Sequence, residues 1–318
     1  MDLGQVTLTQ MRYAVAVADA RSFRQAAEDS HVSQSGLSMQ IQKLEDLLGV
    51  VLFDRSKKPV LVTTDGAPPL LQMRSILRET ERLGQIAAEG DRPAGRFRLG
   101  VIPTLSPTVL PLFLGDFAAK HSAVELVVEE LKTEEIITRL REDTLDAGLA
   151  ATPLGVAGLR ETALALEPML AYLPPGDPLL HRKSVSQTAL RGRELWIMPE
   201  GHCFRSQVLS YCGGASPVHP SGIEFESGSF QTLVRLVDEG LGATVLPELV
   251  VRGLPAARRR KQVRPLVTPR PVREIGLVTA RTDLRRRVSD ALATEIRAAL
   301  ARALPSASGK PLRLDPID

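Results

Sequence analysis

Between residues 7 and 48 helical spacing returns three times, broken by two short turns. Leu8, Met11, Val15 and Ala18 step by three and four and mark one face of a first helix. Ser22-Phe-Arg-Gln25 sets a capping serine three residues before a glutamine and opens a short second helix through Ala26 and Ala27. A tight turn, Asp29-Ser-His-Val32, holds His31 without asking any chemistry of it. Ser33 then caps a third helix that turns Leu37, Ile41, Leu44 and Leu48 inward and stops at Gly49. The runs VVLF and PVLVT, joined by the basic DRSKK, predict a two-stranded hairpin. Helix, turn, helix, basic hairpin is the order of a winged helix-turn-helix, and it predicts an α-rich module over residues 1–65.

The next segment, 66–92, predicts a linker helix from about Pro68 to about Ala88. Pro68 and Pro69 must lie in its first turn, where missing N–H groups cost little. Met73, Ile76, Thr80, Leu83 and Ala87 form a short seam that suits either a second copy of the chain or the helix's own module. The break EGDRPAG follows. Residues 96–150 then alternate strand and helix: FRLGVI, a helix opened by Ser106-Pro107, VELVVEEL, a helix capped by Thr133, and LDAGLA. That βαβαβ order predicts a parallel sheet. Further strands are expected near 168–173, 194–198, 222–226, 242–246 and 274–280, with helices from Cys203, Ser229 and Asp283. The late strand at 274–280 returns to the first lobe. An α/β domain over 93–318 is therefore expected to comprise two lobes, lobe I about 96–167 and 272–304 and lobe II about 168–271. The basic run 257–262 reads as a solvated loop, and the tail beyond Pro305 as disordered.

The formal charge of +3 is too small to name a partner by itself. No apolar run approaches the ~20 residues of a membrane span, and no signal peptide opens the chain. These features point to the cytoplasm, where thiols are kept reduced. Two cysteines are too few for a disulfide scaffold. No G-x-S-x-G, H-E-x-x-H or phosphate-binding glycine loop is present, so nothing argues for hydrolysis or phosphoryl transfer.

Two surfaces carry chemistry. In a helix-turn-helix the start of the second helix enters the major groove. Here that surface is Ser33, Gln34, Ser35, Ser38, Met39 and Gln40, whose hydroxyls and amides suit base edges and phosphates. Arg55, Lys57 and Lys58 on the wing would meet phosphate. A plain packing module with a solvated polar face gives the same pattern. The second surface is GHCFRSQVLSYC. On a helix, nine steps of ~1.5 Å hold Cys203 and Cys212 roughly 13 Å apart on opposite faces, whereas a disulfide needs Cα atoms within about 7 Å. Cys203 falls in the first turn, where free N–H groups and the helix dipole favour thiolate, and His202 and Arg205 can add positive charge. The alternatives are a small buried hydrophobe or a zinc ligand, for which the short paired spacing is missing.

The segment SFRQAAEDSHVSQSGLSMQIQKLEDLLGVVLFDRS resembles the DNA-binding region of LysR-type transcriptional regulators, with the A-A, V-S-Q, L-S, I-x-x-L-E, L-G and L-F-x-R elements in place. The likeness extends over nearly the whole chain. It implies a regulatory domain of two Rossmann-like lobes, periplasmic-binding-protein-like, behind the winged helix and linker. It also implies double-stranded promoter DNA, further copies of the chain up to a homotetramer, and RNA polymerase as partners, with no membrane and no cofactor or metal. Met39 departs from the arginine common in the family, and Pro68-Pro69 from its linker helix.

G-H-C-x-R followed by Cys212 further resembles the redox segment of the hydrogen-peroxide-sensing branch of that family. There the first cysteine is oxidised to a sulfenic acid and the second resolves it to a disulfide; Cys203 and Cys212 match those roles. By the same likeness Thr104, Thr133, His202, Arg205 and Arg273 would line a peroxide pocket, and a thiol reductant would reset the protein. Ser206 stands where an aspartate is frequent. Two other readings remain: a regulator answering a small-molecule effector in the crevice between lobes, and a thiol peroxidase, which would have no use for a winged helix.

Overall fold

Thr7 shows how strictly local signals set the amino-terminal module. Its hydroxyl accepts the Gln10 N–H at 3.2 Å while the Gln10 side chain accepts the Thr7 N–H at 2.9 Å, a reciprocal cap opening α1 (Leu8–Ala20). Ser22 caps α2 (Phe23–Asp29) through the Gln25 N–H. The Gln25 amide reaches forward to Asp29 at 2.9 Å, so only half of the expected box forms. His31 takes φ 55° in the turn, and α3 (Gln34–Leu48) runs from the Ser33 cap to Gly49, whose φ of 67° lies where glycine is favoured. The face that α1 buries is shifted from the expected one: Gln10, Ala14 and Val17 are inside while Leu8 is exposed. Small residues let α1 approach its neighbours closely, and Gln10 is drawn in by its bond to Gln40. The wing is a short antiparallel ribbon of β1 (Phe53–Asp54) and β2 (Leu61–Val62). Helix α4 (Ala67–Ala88) carries Pro68 and Pro69 in its first turn and buries Leu70 and Met73 in the module's core, while Leu83 is 68% exposed.

The computed structural model describes residues 3–88, 93–191, 193–212, 228–283, 285–304 and 311–316. The expected strand at 222–226 lies outside them. The chain divides into two compact units, Met1–Arg92 and Pro93–Asp318.

In the second unit β3 (Gly95–Val101), α5 (Ser106–Lys120), β4 (Val124–Glu130), α6 (Thr133–Arg141) and β5 (Ala147–Thr152) form the expected βαβαβ unit, with β3 parallel to both partners. Gly148 in β5 is required because any Cβ there would collide with Ile136 of α6. Neither helix is capped as expected: Ser106 and Thr133 are first helical residues and cap nothing with their hydroxyls. That leaves the Thr133 side chain free for another partner. Strand β6 (Leu159–Tyr172) then connects the lobes. The chain continues through α7 (Gln187–Leu190), β7 (Leu195–Trp196), α8 (Cys203–Cys212), α9 (Phe230–Asp238), β8 (Ala243–Pro247) and α10 (Glu248–Arg252). It ends with α11 (Ala256–Gln262), β9 (Val263–Pro265), β10 (Arg270–Ala280), α12 (Arg286–Ala303) and β11 (Pro311–Arg313).

The sheet order is β4-β3-β5-β10-β6-β8-β7, with β9 on β6 and β11 on β10. Residues 159–168 of β6 pair with β10, and 169–172 pair with β8 and β9. One strand thus serves two apolar cores. The first centres on Phe97, Leu99, Phe113, Ile136 and Leu292, the second on Tyr172, Trp196, Phe204, Val234 and Leu246. Two expectations are corrected. The basic run 257–262 forms helix α11. Among the described residues of the tail, 311–313 add to the sheet beside β10, because Leu314 can bury itself in the second core.

Candidate functional sites: the recognition helix and the two-cysteine helix

In the first module the polar start of α3 is exposed at Gln34 and Ser35, and Met39 is 66% exposed. Ser33 is committed to its helix, its Oγ accepting the Gly36 N–H at 3.1 Å. Gln40 turns inward and accepts from Gln10 at 3.2 Å. Arg55 is not a free wing cation. It donates to Glu45 at 2.7 Å and to Ser38 at 3.2 Å, and its guanidinium lies 4.9 Å from the Phe23 ring centre. Glu45 in turn accepts the Leu52 N–H at 2.7 Å, so the pair ties the wing to α3. Lys57 and Lys58 remain exposed. A shallow groove lined by Ser35, Ser38, Met39, Gln42, Lys43, Asp46 and Arg55 extends this face by three residues that the sequence does not single out, Gln42, Lys43 and the acidic Asp46, which accepts from Gln42 at 3.1 Å. All three lie beyond the expected contact stretch on the same helix.

In the second unit Gly201, at φ 81°, turns the chain into α8. Cys203 is the first residue of that helix, 9% exposed, and packs with the first core. The Thr133 hydroxyl lies 3.5 Å from its sulfur. Cys212 is the last residue of the same helix and packs with the second core. Burial pushes its thiol up to about 11. Both thiols are free. The helix therefore spans two cores with one sulfur in each.

Arg273 is fully buried behind this helix. It donates through Nε to Glu167 at 2.7 Å, through Nη1 to the Thr104 hydroxyl at 3.3 Å, and through Nη2 to the Thr104 carbonyl at 3.3 Å. Its guanidinium is 5.5 Å from the ring centre of Phe204, the residue after Cys203. Glu167 is also fully buried, and its second oxygen accepts the Leu249 N–H at 2.8 Å. The arginine's charge is thus compensated on the spot, and the group is a fixed donor. His202 has its pKa lowered by burial and then by the nearby Lys132, which favours the neutral ring. Arg205 donates to the Met198 carbonyl at 3.1 Å and braces the loop that leads into α8. Of the residues grouped by sequence, Thr133 meets the sulfur and Thr104 meets Arg273. Glu167 was missed. Its signal was a lone carboxylate inside the apolar strand ALALEPML, a position that demands a buried partner.

A winged helix-turn-helix followed by a two-lobed α/β domain defines a class of DNA-binding regulators. The model of bacterial regulatory helix-turn-helix proteins of the lysR family matches residues 8–67, and that of the LysR substrate binding domain matches residues 90–301. The chain belongs to the LysR family of transcription regulators. Within it the chain falls in the OxyR branch. It is 38% identical over 281 residues to the probable hydrogen peroxide-inducible genes activator of Mycobacterium avium, covering 86% of this chain and 88% of that protein. It is 35% identical over 276 residues to the DNA-binding transcriptional dual regulator OxyR of Escherichia coli K12, covering 86% and 89%. Full-length OxyR from Pseudomonas aeruginosa, solved as a cysteine-to-aspartate variant, superposes with a TM-score of 0.80 at 31% identity, over 96% of this chain and 99% of that one.

Proposed function

We propose that this chain is a hydrogen-peroxide-responsive regulator of promoter DNA, with Cys203 as the peroxide-reactive thiol and Cys212 as its resolving partner. The observation that carries the reading is the pairing of Cys203 with the Thr133 hydroxyl at 3.5 Å, at the opposite end of one helix from the only other cysteine. In the first step the Cys203 thiolate attacks one peroxide oxygen. An S–O bond forms, the O–O bond breaks, and hydroxide departs, leaving a sulfenic acid. Thr133, with Thr104 held by Arg273, supplies hydroxyls that orient the peroxide. In the second step the Cys212 thiol displaces water from the sulfenic sulfur, forming the disulfide. Closing the gap of roughly 13 Å between the helix ends requires α8 to unwind or shift. Chemistry at one sulfur thereby becomes a change of shape, which alters how copies of the chain pair and how they hold DNA. The active species on DNA is a dimer or a dimer of dimers. It works in the cytoplasm, engages RNA polymerase, and is reset by a thiol reductant. The relatives named as hydrogen peroxide-inducible activators support this reading.

Gel-shift and footprinting on the protein's own promoter test it. The footprint of reduced protein is expected to change after peroxide, and Cys203→Ser protein is expected to keep the reduced footprint. An identical footprint for wild-type protein before and after peroxide would overturn the proposal.

A further inference from the structure

The end of the chain grips the middle of the helix that has to open. Strand β11 pairs in parallel with β10, Arg270 opposite Pro311 and Val272 opposite Arg313, and the Leu314 N–H donates to the Val272 carbonyl at 3.0 Å. The next residue of β10 is Arg273, so this strap is laid beside the proposed peroxide pocket. Arg313 pairs with Glu274 at 2.9 Å, and the Leu314 side chain is buried in the same core as Phe204, Val208 and Cys212. From there the Leu314 carbonyl accepts a hydrogen bond at 2.9 Å from Gln207, four residues after Cys203 and five before Cys212. Gln207 is completely buried, and its side-chain oxygen has no hydrogen-bond partner. A buried amide left half-satisfied is costly. It is tolerated here because its other half ties α8 to the strap.

We infer that residues 311–316 are a latch on α8 that sets the rate of disulfide closure, with Gln207 as the positioning residue. The inference rests on the two-step reading above and adds a control to its second step. Peroxide attack at Cys203 leaves the helix intact and the latch engaged. The closing step forms the Cys203–Cys212 bond and releases water, and it needs α8 to open. Opening breaks the Gln207–Leu314 bond and uncovers the seat of Leu314. The latch therefore lengthens the life of the sulfenic acid and leaves its formation untouched. Oxidation, once complete, frees the strap.

Time courses on the full-length reduced protein, mixed with hydrogen peroxide and quenched for mass spectrometry, separate the steps. Dimedone trapping reads the sulfenic acid and the mass of the bridged peptide reads closure. In Gln207→Leu, which keeps the volume but removes the donor, sulfenic acid is expected to form at the wild-type rate. Closure is expected roughly fivefold faster, the factor one net hydrogen bond commands. Leu314→Ala, which empties the seat of the strap, should act in the same direction. Closure at the wild-type rate in both variants would overturn the latch while leaving the two-step chemistry standing. Absence of any sulfenic acid on wild-type Cys203 would instead overturn the reading beneath it. Hydrogen exchange on the wild-type chain decides the case even if the variants fail to fold. The amides between Pro311 and Pro316, that of Leu314 above all, should be protected in reduced protein and exchange freely in the oxidised form. Equal protection in both forms contradicts the inference.

Discussion

The two ends of α8 place the same side chain in different surroundings. At the start, Cys203 meets a threonine hydroxyl and the first core, with a buried arginine–glutamate pair behind it. At the finish, Cys212 is sealed in the second core, and burial raises its pKa to about 11. One end is furnished for chemistry and the other is dry. The lesson is that a buried sulfur can be held in reserve by the core around it, and only a structural change releases it.

The largest effect expected from that contrast is all-or-none. Cys203→Ser should abolish every peroxide-dependent change, whereas Cys212→Ser should still accumulate sulfenic acid and then overoxidise, both read by mass spectrometry. Next comes the support behind the reactive end. Glu167→Gln leaves the Arg273 guanidinium buried and uncompensated, and breaking a buried pair by removing one partner costs about 3–5 kcal/mol. Urea unfolding measures this, and the double variant with Arg273→Met should recover part of the loss. A change below about 1 kcal/mol would mean that the pair is not as dry as its burial indicates.

The same contrast between engaged and free groups recurs in the amino-terminal module. Arg55 serves the fold through Glu45, while Lys57 and Lys58 face solvent. Arg55→Ala should therefore lower stability by about 2 kcal/mol, the order expected for a partly buried charged bond. Lys58→Ala should leave stability unchanged and reduce the salt slope of DNA binding by about one. Urea unfolding reads the first, and titration calorimetry on DNA at several salt concentrations reads the second.

The effect confined to the narrowest range of conditions is a pH dependence at the dry end. The Cys212 thiol, ordinarily near 9, is raised to about 11, so the folded chain keeps this proton after the unfolded chain has lost it. Its contribution is complete below about pH 9 and is lost as pH rises through 11. Tyr211, pushed by burial to about 12, acts with the same sign slightly higher. Cys212 alone should cost the reduced protein up to about 3 kcal/mol across that window, two pK units at about 1.4 kcal/mol each. Unfolding curves of Cys212→Ser should be flatter by that amount.

Much of this was legible in the sequence because it is written in short-range signals. The Ser33 cap, the Gly49 stop, the βαβαβ alternation and the helix between the cysteines all depend on residues within one or two turns. What escaped depends on partners far along the chain. Glu167 meets Arg273 across 106 residues and Gln207 meets Leu314 across 107, and no local pattern announces either. Arg55 has the residue type of a phosphate contact; only the fold shows that Glu45 and Ser38 also engage it. Thr133 was read as a cap, yet the absence of a capping bond is what leaves its hydroxyl at the sulfur. The polar composition of the tail argues for disorder, yet one buried leucine, Leu314, suffices to fix residues 311–316.

The central claim is that two cysteines held apart by a helix are brought together by peroxide. The most direct measurement is peptide mapping by mass spectrometry of protein treated with one equivalent of hydrogen peroxide under non-reducing conditions. The account predicts a Cys203–Cys212 bridge, formed within one chain and reversed by thiol reductant. Full oxidation of Cys203 with Cys212 recovered as a free thiol would contradict it.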